Sequence, residues 1–394
     1  MLAGAAVLQV VPAGAATTSS VAATSAGVTA AQGWLDDQES RTHVYTAAQA
    51  VQQAQRFSII SALPNTYAPY VAAMKVANPK LRIFVYMNGT MASTKEATAG
   101  LPESWYLHDA SGRRITNAWH LFLMNPANAG WVSNRASTCT RLITQSGYDG
   151  CFLDNLGSGT WYAGTVSAAP LDPATGKKYL PGAWLARTAA LAQAVHTSTG
   201  RLVFANGLVS GRAYFSPSAP SKVLSDGSDL ALAETFIRTA GMGITQYRSV
   251  TAWKQDVDML AQAAAQGKRV AVLTKVWASG TQQQIDDWHA FAAGSFLLGT
   301  NGQQVFEFSG SPTADISAGS SVIAKLTALG AATGAYSVVN GIYQRQFTGG
   351  LVIVNPTTAP LTATLSQPYT DAISGAAVTG TITIRPHTAQ LLLG

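Results

Sequence analysis

The chain has 394 residues, of which 47% are hydrophobic and only 11% are charged. This composition supplies enough apolar side chains for a large core and excludes an intrinsically disordered protein. The formal charge is +6, but Lys and Arg are scattered along the sequence, so no basic patch predicts a nucleic-acid partner.

The N-terminal sequence is typical of a secretion signal. Residues 1–16 form an apolar stretch that ends near Ala13-Gly14-Ala15, and residues 17–32 are rich in Ala, Thr and Ser. A positively charged start is missing, and Pro12 interrupts an apolar run that is too short for a membrane anchor. We therefore predict a signal-like segment over 1–16, a linker over 17–32 and a secreted chain without an integral membrane segment.

Residues 33–334 alternate short β-rich runs with amphipathic stretches, which is typical of a parallel sheet covered by helices. Clear helix-like stretches are Ala183–Thr199, Ala252–Gln266 and Gln282–Leu298. Eight β-rich runs over this length predict an α/β fold of the (β/α)8 barrel (TIM barrel) type. The eight runs are Phe57–Ser61, Ile83–Asn88, Leu121–Asn125, Cys151–Asn155, Leu202–Asn206, Leu230–Glu234, Val270–Lys275 and Val305–Phe308.

The connection between Asn88 and Leu121 departs from this pattern. It contains no clear helix, and Leu101–Ile115 is typical of a turn-rich loop or a hairpin. We expect an irregular lid there in place of the second helix.

From about residue 335 the pattern changes to strands and turns without helices. About sixty residues form only a small core, so we expect 335–394 to be an antiparallel β domain that packs on the barrel. Its predicted strands are Gly341–Phe347, Gly350–Asn355, Leu361–Leu365, Gly380–Ile384 and Thr388–Leu393.

The only two cysteines of the sequence are close in the chain. Cys139 falls in a helical stretch, and Cys151 lies in the strand directly after it. Strand alternation places Cys151 on the opposite face from Asp154. If Asp154 faces the barrel interior, Cys151 faces the helix layer, so a structural Cys139–Cys151 disulfide is expected in an exported protein.

Polar residues close six of the eight predicted strands. Active sites of (β/α)8 barrels lie at the C-terminal strand ends, so these residues are candidates for substrate binding. Each Asn could instead simply open a turn, but the set favours a polar ring at the barrel mouth. The expected ring for substrate binding is Asn88, Asn125, Asn155, Asn206 and Lys275, with Asp154 and Glu234 between them.

Two carboxylates stand out because each ends an apolar strand. The alternative role of Asp154, a helix N-cap, is disfavoured because the next helix begins only near Ala183. The alternative for Glu234 is a buried salt bridge with Lys275 or Arg238. One carboxylate could serve as nucleophile or base and the other as general acid, provided that their environments separate their pKa values.

A third acid, Glu307, lies within the last strand run, and we expect it to line the barrel interior or contact substrate. Aromatic residues also follow the predicted strands two, four and seven: Trp105, Tyr106, Trp161, Tyr162 and Trp277. Each could be ordinary loop packing, but aromatic faces at a barrel mouth suit sugar rings.

Other chemistries lack their motifs. The six His residues have no HxH or HExxH spacing, and the sequence has no GxSxG elbow and no P-loop. We therefore expect no metal and no cofactor.

The segment from Asn125-Pro126 through Gly147–Asn155 resembles predicted glycoside hydrolase-like barrel families of bacteria, distant relatives of barrel glycosidases with a nucleophilic Asp after strand four. Trp105–Ile115 and Ala233-Glu234 are also similar, as is Tyr343–Phe347 with Gly350–Pro356 to the small β domain that follows such barrels. The resemblance covers nearly the whole chain after the signal, although only the strand-four motif is specific. It implies Asp154 as nucleophile, Glu234 as acid and retention of configuration.

The sequence thus predicts a secreted glycoside hydrolase that acts on an α-linked oligo- or polysaccharide. It leaves the oligomeric state open, with a monomer expected. Two alternatives remain: a non-catalytic carbohydrate- or cell-wall-binding barrel, whose acids need not face one cleft, and a transglycosylase that uses the same pair.

Overall fold

The computed structural model describes residues 32–37, 44–158, 165–310 and 327–394. Eight parallel strands of these ranges close into a barrel, each pairing with the next in sequence and the last pairing with the first. The predicted (β/α)8 barrel is confirmed. Its strands are β1 (Gln32–Asp36), β2 (Ile59–Ala62), β3 (Arg82–Asn88), β4 (Gly150–Asp154), β5 (Leu202–Asn206), β6 (Leu230–Ala233), β7 (Val270–Lys275) and β8 (Val305–Ser309).

The predicted set of barrel strands is wrong at two places. The first barrel strand is β1, which the prediction placed at the edge of a linker, and Leu121–Asn125 is not a barrel strand. Only Phe122–Leu123 is extended there, and it pairs antiparallel with Met91–Ala92 outside the barrel. Because the two errors cancel in the count, Asp154 still follows the fourth strand and Glu234 the sixth.

The helices of the described ranges surround the barrel, and their ends follow local sequence signals. Asn128 caps the start of α4, and Gly147 ends it with φ +72°, a conformation that glycine adopts without strain. No helix of the described ranges is long and apolar enough to span a membrane. The helices are α1 (Ala47–Arg56), α2 (Val71–Ala77), α3 (Thr94–Thr98), α4 (Ala129–Ser146), α5 (Pro181–Thr199), α6 (Gly211–Tyr214), α7 (Val250–Ala265) and α8 (Gln282–Gly299).

An insertion, residues 89–128, separates β3 from α4. The expected irregular segment is present, but it precedes a regular helix and does not replace one, so the expectation of a missing helix is wrong. The insertion has its own apolar core, in which Leu107, Ile115 and Leu123 are fully buried together with Trp184 of α5. This packing fixes the insertion against the wall of the barrel.

The barrel interior is filled below its C-terminal mouth. Trp34, Phe84, Phe152 and Phe204 are buried there and form one apolar cluster. A packed interior of this kind leaves no channel, so solvent and ligands reach the strand ends only from the mouth.

The C-terminal domain is antiparallel, as expected. A six-stranded sheet has the order β9-β10-β11-β16-β13-β14, and β12 pairs with β15. The strands are β9 (Ser337–Val339), β10 (Ile342–Phe347), β11 (Gly350–Asn355), β12 (Leu361–Thr364), β13 (Tyr369–Asp371), β14 (Ala377–Val378), β15 (Thr381–Ile384) and β16 (Thr388–Leu393).

This domain packs on α8. A Cβ at Gly294 would lie 2.5 Å from the Cβ of Ala389, so helix and sheet approach too closely there for any side chain. Arg345 donates to the carbonyl oxygens of Leu297, Leu298 and Thr300 and so satisfies the free C-terminal end of α8. The domain limits predicted at 33–334 and 335–394 stay predictions, because residues 311–326 lie outside the described ranges.

The predicted disulfide is confirmed. Cys139 of α4 and Cys151 of β4 are bonded, with their Cα atoms 5.9 Å apart. Cys151 faces the helix layer and is fully buried, as strand alternation predicts. The bond ties the helix before the strand to the strand that ends in Asp154.

Reduction of this disulfide should lower the free energy of unfolding by about 3 kcal/mol, the chain-entropy value for a loop of this length. Urea denaturation with and without reductant measures the change. Since both cysteines of the sequence are in the bond, a Cys139→Ser/Cys151→Ser variant insensitive to reductant is the control. An unchanged denaturation midpoint would contradict a stabilising role.

Candidate active site

A cavity of about 240 Å³ opens at the C-terminal mouth of the barrel. Its lining is polar at the ends of β4, β5 and β6, where Asp154, Asn206 and Glu234 lie side by side. Met91, Leu156 and other apolar residues form the rest of the wall. An apolar wall with a few convergent polar groups is the usual character of a small-molecule or sugar site.

Asp154 is held in one orientation by four hydrogen bonds. Its Oδ1 accepts from the backbone N–H of Asn155 at 2.7 Å and from Nδ2 of Asn206 at 2.9 Å. Its Oδ2 accepts from the hydroxyl of Tyr86 at 2.7 Å and from Nδ2 of Asn155 at 3.0 Å. Both oxygens therefore have two donors each, the arrangement that a fixed carboxylate needs.

Asn206 connects the two candidate carboxylates. Its Nδ2 donates to Oδ1 of Asp154 and to Oε2 of Glu234, each at 2.9 Å. Because both oxygens bond to one nitrogen, they lie less than about 6 Å apart, within reach of a single sugar centre.

Glu234 has a cationic partner on its other oxygen. Nζ of Lys275, at the end of β7, lies 2.8 Å from Oε1. The lysine side chain is only 8% exposed, while the Glu234 side chain is 41% exposed and faces the cavity. Of the two partners considered in the sequence, Lys275 is thus the one present, since Arg238 donates instead to the backbone oxygens of Lys275 and Gly243.

The two carboxyl groups differ in their electrostatics. Burial raises the pKa of Asp154, and the negative charge of Glu234 raises it further, against the opposing hydrogen bonds from Tyr86, Asn155 and Asn206. Burial would also raise the pKa of Glu234, but the ammonium group of Lys275 outweighs it and the net pKa is lowered.

Backbone strain is concentrated around the same strand ends. Asn155, Val209 and Ile237 have φ values of 59°, 67° and 53°, and they follow β4, β5 and β6 respectively. Branched residues such as Val and Ile rarely adopt this left-handed conformation. Strain of this kind is frequent at functional sites, where the surrounding structure maintains it.

Three of the predicted ring residues do not reach the cavity lining: Asn88, Asn125 and Lys275, of which Lys275 instead holds Glu234. The Oδ1 of Asn88 accepts from the backbone of Met91, and the Oδ1 of Asn125 accepts from that of Ala127. Both amides hold turns, which is the alternative considered for each Asn. Asn155, Asn206 and the carboxylates are the predicted residues that line the cavity together.

The predicted aromatic residues and Glu307 lie at different places around the barrel. Trp105 packs edge-on against Trp131 with ring centroids 6.3 Å apart. Trp277 donates its indole N–H to Ser309, and its ring centroid lies 4.6 Å from the Nζ of Lys275. Glu307 is buried in β8 and accepts from the backbone of Asp36. Trp161 and Tyr162 lie outside the described residues.

Two site residues were missed in the sequence. Tyr86 lies two residues before Asn88 on β3, so strand alternation could have placed its hydroxyl at the mouth. Trp119 lines the cavity from the insertion, far from any strand end, and no periodic pattern signals it.

A family profile described as "hypothetical glycosyl hydrolase family 15" matches residues 75–351. The chain belongs to this family. A search of curated protein sequences finds no match.

Solved structures of similar fold include three α-amylases. The noncanonic maltogenic α-amylase AmyB from Thermotoga neapolitana is 8% identical, with a TM-score of 0.54 over 92% of this chain and 98% of that chain. The α-amylase from Geobacillus thermoleovorans is 9% identical, with a TM-score of 0.54 over 93% of this chain and 99% of that one. The α-amylase from Malbranchea cinnamomea is 8% identical, with a TM-score of 0.53 over 92% and 96%. At these identities the likeness is one of fold.

Family membership, together with this barrel, confirms the prediction of a glycoside hydrolase. It also confirms the resemblance to glycoside hydrolase-like barrels noted in the sequence.

The raised pKa of Asp154 has a consequence for stability. A carboxyl group whose folded-state pKa exceeds its unfolded value stabilises the fold fully below the unfolded value, and this contribution is lost as the pH rises through the folded value. An Asp154→Asn variant should therefore gain stability relative to the wild type as the pH rises from about 3.5 to 7. Urea denaturation of both proteins across this range measures the difference, and parallel pH profiles would contradict the shift.

Proposed function

We propose that the protein is a secreted glycoside hydrolase that cleaves an oligo- or polysaccharide through Asp154 and Glu234, with retention of configuration. The observation that carries the proposal is the single amide of Asn206 that bonds to both carboxylates. It places two acids of different strands at one point of the cavity.

The spacing supports catalysis by the pair. Retaining glycosidases hold their two carboxyl groups about 5–5.5 Å apart, whereas inverting enzymes leave about 6.5–9.5 Å for a water molecule. Bonds from one nitrogen to both carboxylates favour the shorter range. A barrel that only binds carbohydrate has no need to bring two acids to one point.

The hydrogen bonds support Asp154 as the nucleophile. Three of its four donors are N–H groups, which cannot accept a proton from it, so they favour the ionised form that attacks the sugar. The charges of the resting site act in the opposite direction, because Lys275 favours ionised Glu234. We assign the nucleophile by the donors, since four hydrogen bonds fix both oxygens of Asp154.

In the proposed reaction, Asp154 attacks the anomeric carbon while Glu234 gives its proton to the departing glycosidic oxygen. The glycosyl–Asp154 ester is then cleaved by water, whose proton returns to Glu234. Loss of the Asp154 charge in the first step, together with Lys275, lowers the pKa of Glu234 and so favours its role as base in the second step.

Two further features support the substrate class and the location. Three solved structures of similar fold are α-amylases, so α-linked saccharides are the first class to test. The disulfide and the signal-like sequence of residues 1–16 support export, where disulfides persist.

Activity should depend on both acids. On a polysaccharide panel of starch, pullulan, dextran and galactomannan, we expect new reducing ends from the wild type and a loss of about 10³-fold or more in Asp154→Asn and Glu234→Gln. Asp149→Asn is the matched control, because Asp149 lies at the opposite end of the same strand and bonds to Lys75 and Ile83. Near-wild-type activity in either site variant would rule out the pair.

A Lys275→Met variant tests the assignment of roles. Removal of the ammonium group raises the pKa of Glu234, so an acid at Glu234 stays protonated to higher pH. The alkaline limb of the kcat/KM profile should then move to higher pH. Movement of the acidic limb instead would mean that Glu234 must be ionised and is itself the nucleophile. Lys254→Met, which removes a surface ion pair with Asp258, is the control.

A further inference from the structure

The most exposed tryptophan of the described chain lies at the mouth of the cavity. Trp119 is 72% exposed, whereas Trp34, Trp131, Trp184, Trp253 and Trp288 are 0–1% exposed. Trp119 lines the same cavity as Asp154 and Glu234. Trp119 thus lacks the favourable burial of these five tryptophans, although it lies beside the two carboxylates.

The turn that carries Trp119 is rigidly built. The Oδ1 of Asn117 accepts from the backbone N–H of Trp119 at 3.0 Å and of Leu121 at 2.9 Å. The backbone N–H of His120 donates to the carbonyl oxygen of Asn117, and His120 has a left-handed φ of 58°. Asn117 itself is only 7% exposed, so its amide acts as an internal brace for the turn.

The base of the turn is anchored as well. Main-chain hydrogen bonds join Leu107 to Ile115 and Ile115 to Leu123, and all three side chains are fully buried. On the other side, the backbone N–H of Ser167 donates to the carbonyl oxygen of Thr116 at 2.7 Å. The aromatic ring is therefore presented by a fixed support, and a ligand would not have to order the loop on binding.

We propose that Trp119 is a stacking platform for a pyranose ring of the saccharide that is cut by Asp154 and Glu234. This inference rests on the proposed function and adds a binding residue that no strand-end pattern indicated. The apolar C–H face of a sugar lies on the indole, while its hydroxyl edge is turned toward the polar floor of Asn155 and Asn206. The insertion that holds Trp119 thus serves as one side of the substrate cleft.

The chemistry of the platform sets what it should recognise. An indole face binds neutral pyranose rings by dispersion and C–H contacts, and Phe retains part of this surface while Ala removes it. A Trp119→Ala variant should therefore weaken saccharide binding far more than Trp119→Phe. Neither change touches the donors of Asp154 or the Lys275–Glu234 pair.

The test is calorimetric titration of maltoheptaose, isomaltoheptaose and stachyose into full-length Glu234→Gln protein, which prevents cleavage. We expect at least one of these saccharides to bind, with Kd raised about tenfold or more by Trp119→Ala and about threefold or less by Trp119→Phe. Leu180→Ala is the matched control, because Leu180 is also 72% exposed but does not line the cavity. The Kd of the saccharide for the Leu180→Ala control should equal its Kd for the Glu234→Gln parent protein.

The outcomes separate the platform from the catalytic proposal. Binding that depends on Trp119 without cleavage by the wild type would support the platform and contradict the proposed function. Cleavage of the panel polysaccharides with KM and Kd unaffected by Trp119→Ala would overturn the platform and leave the function standing. Failure of all three saccharides to bind the parent protein would also overturn the platform.

Discussion

The amide of Asn206 is the contact on which the rest of the site depends. One nitrogen holds an oxygen of Asp154 and an oxygen of Glu234 at 2.9 Å each, so two like charges are kept close in a partly buried cavity. Such a pair is unfavourable unless donors and a cation compensate it. Tyr86 and Asn155 compensate one carboxylate and Lys275 the other. The barrel supplies these groups from the ends of β3, β4, β5, β6 and β7.

The structure around the pair is arranged to keep this geometry. The aromatic interior of the barrel blocks approach from below, and the Cys139–Cys151 disulfide ties β4 to α4. Left-handed residues follow the three strands that carry Asp154, Asn206 and Glu234, and the strain they store is tolerated where side chains must be aimed. The braced turn of Trp119 forms the outer side of the same cavity. The packed interior, the disulfide and the braced turn therefore hold the two carboxylates close together although their charges repel.

Much of this was predictable because periodicity reports which face of an element is buried. Alternation along β4 predicted both the disulfide face and the cavity face, and the apolar runs before Asp154 and Glu234 located the acids. The predicted set of barrel strands omitted β1 and wrongly included Leu121–Asn125. The second error arose because a two-residue hairpin strand and a barrel strand have the same local composition. Trp119 could not be found, since its exposure is set by tertiary packing of the insertion and not by any repeat in the sequence.

In the proposed mechanism Asp154 becomes covalently bonded to sugar during turnover. The most direct measurement is mass spectrometry of peptides from protein inactivated with a fluorinated glycosyl fluoride whose sugar matches the cleaved polysaccharide. Slow hydrolysis of such an ester lets the glycosyl–enzyme accumulate. We expect a single glycosyl mass on the peptide that contains Asp154, and none in the Asp154→Asn variant. A label on the Glu234 peptide, or active turnover with inverted product and no label, would rule out Asp154 as the nucleophile.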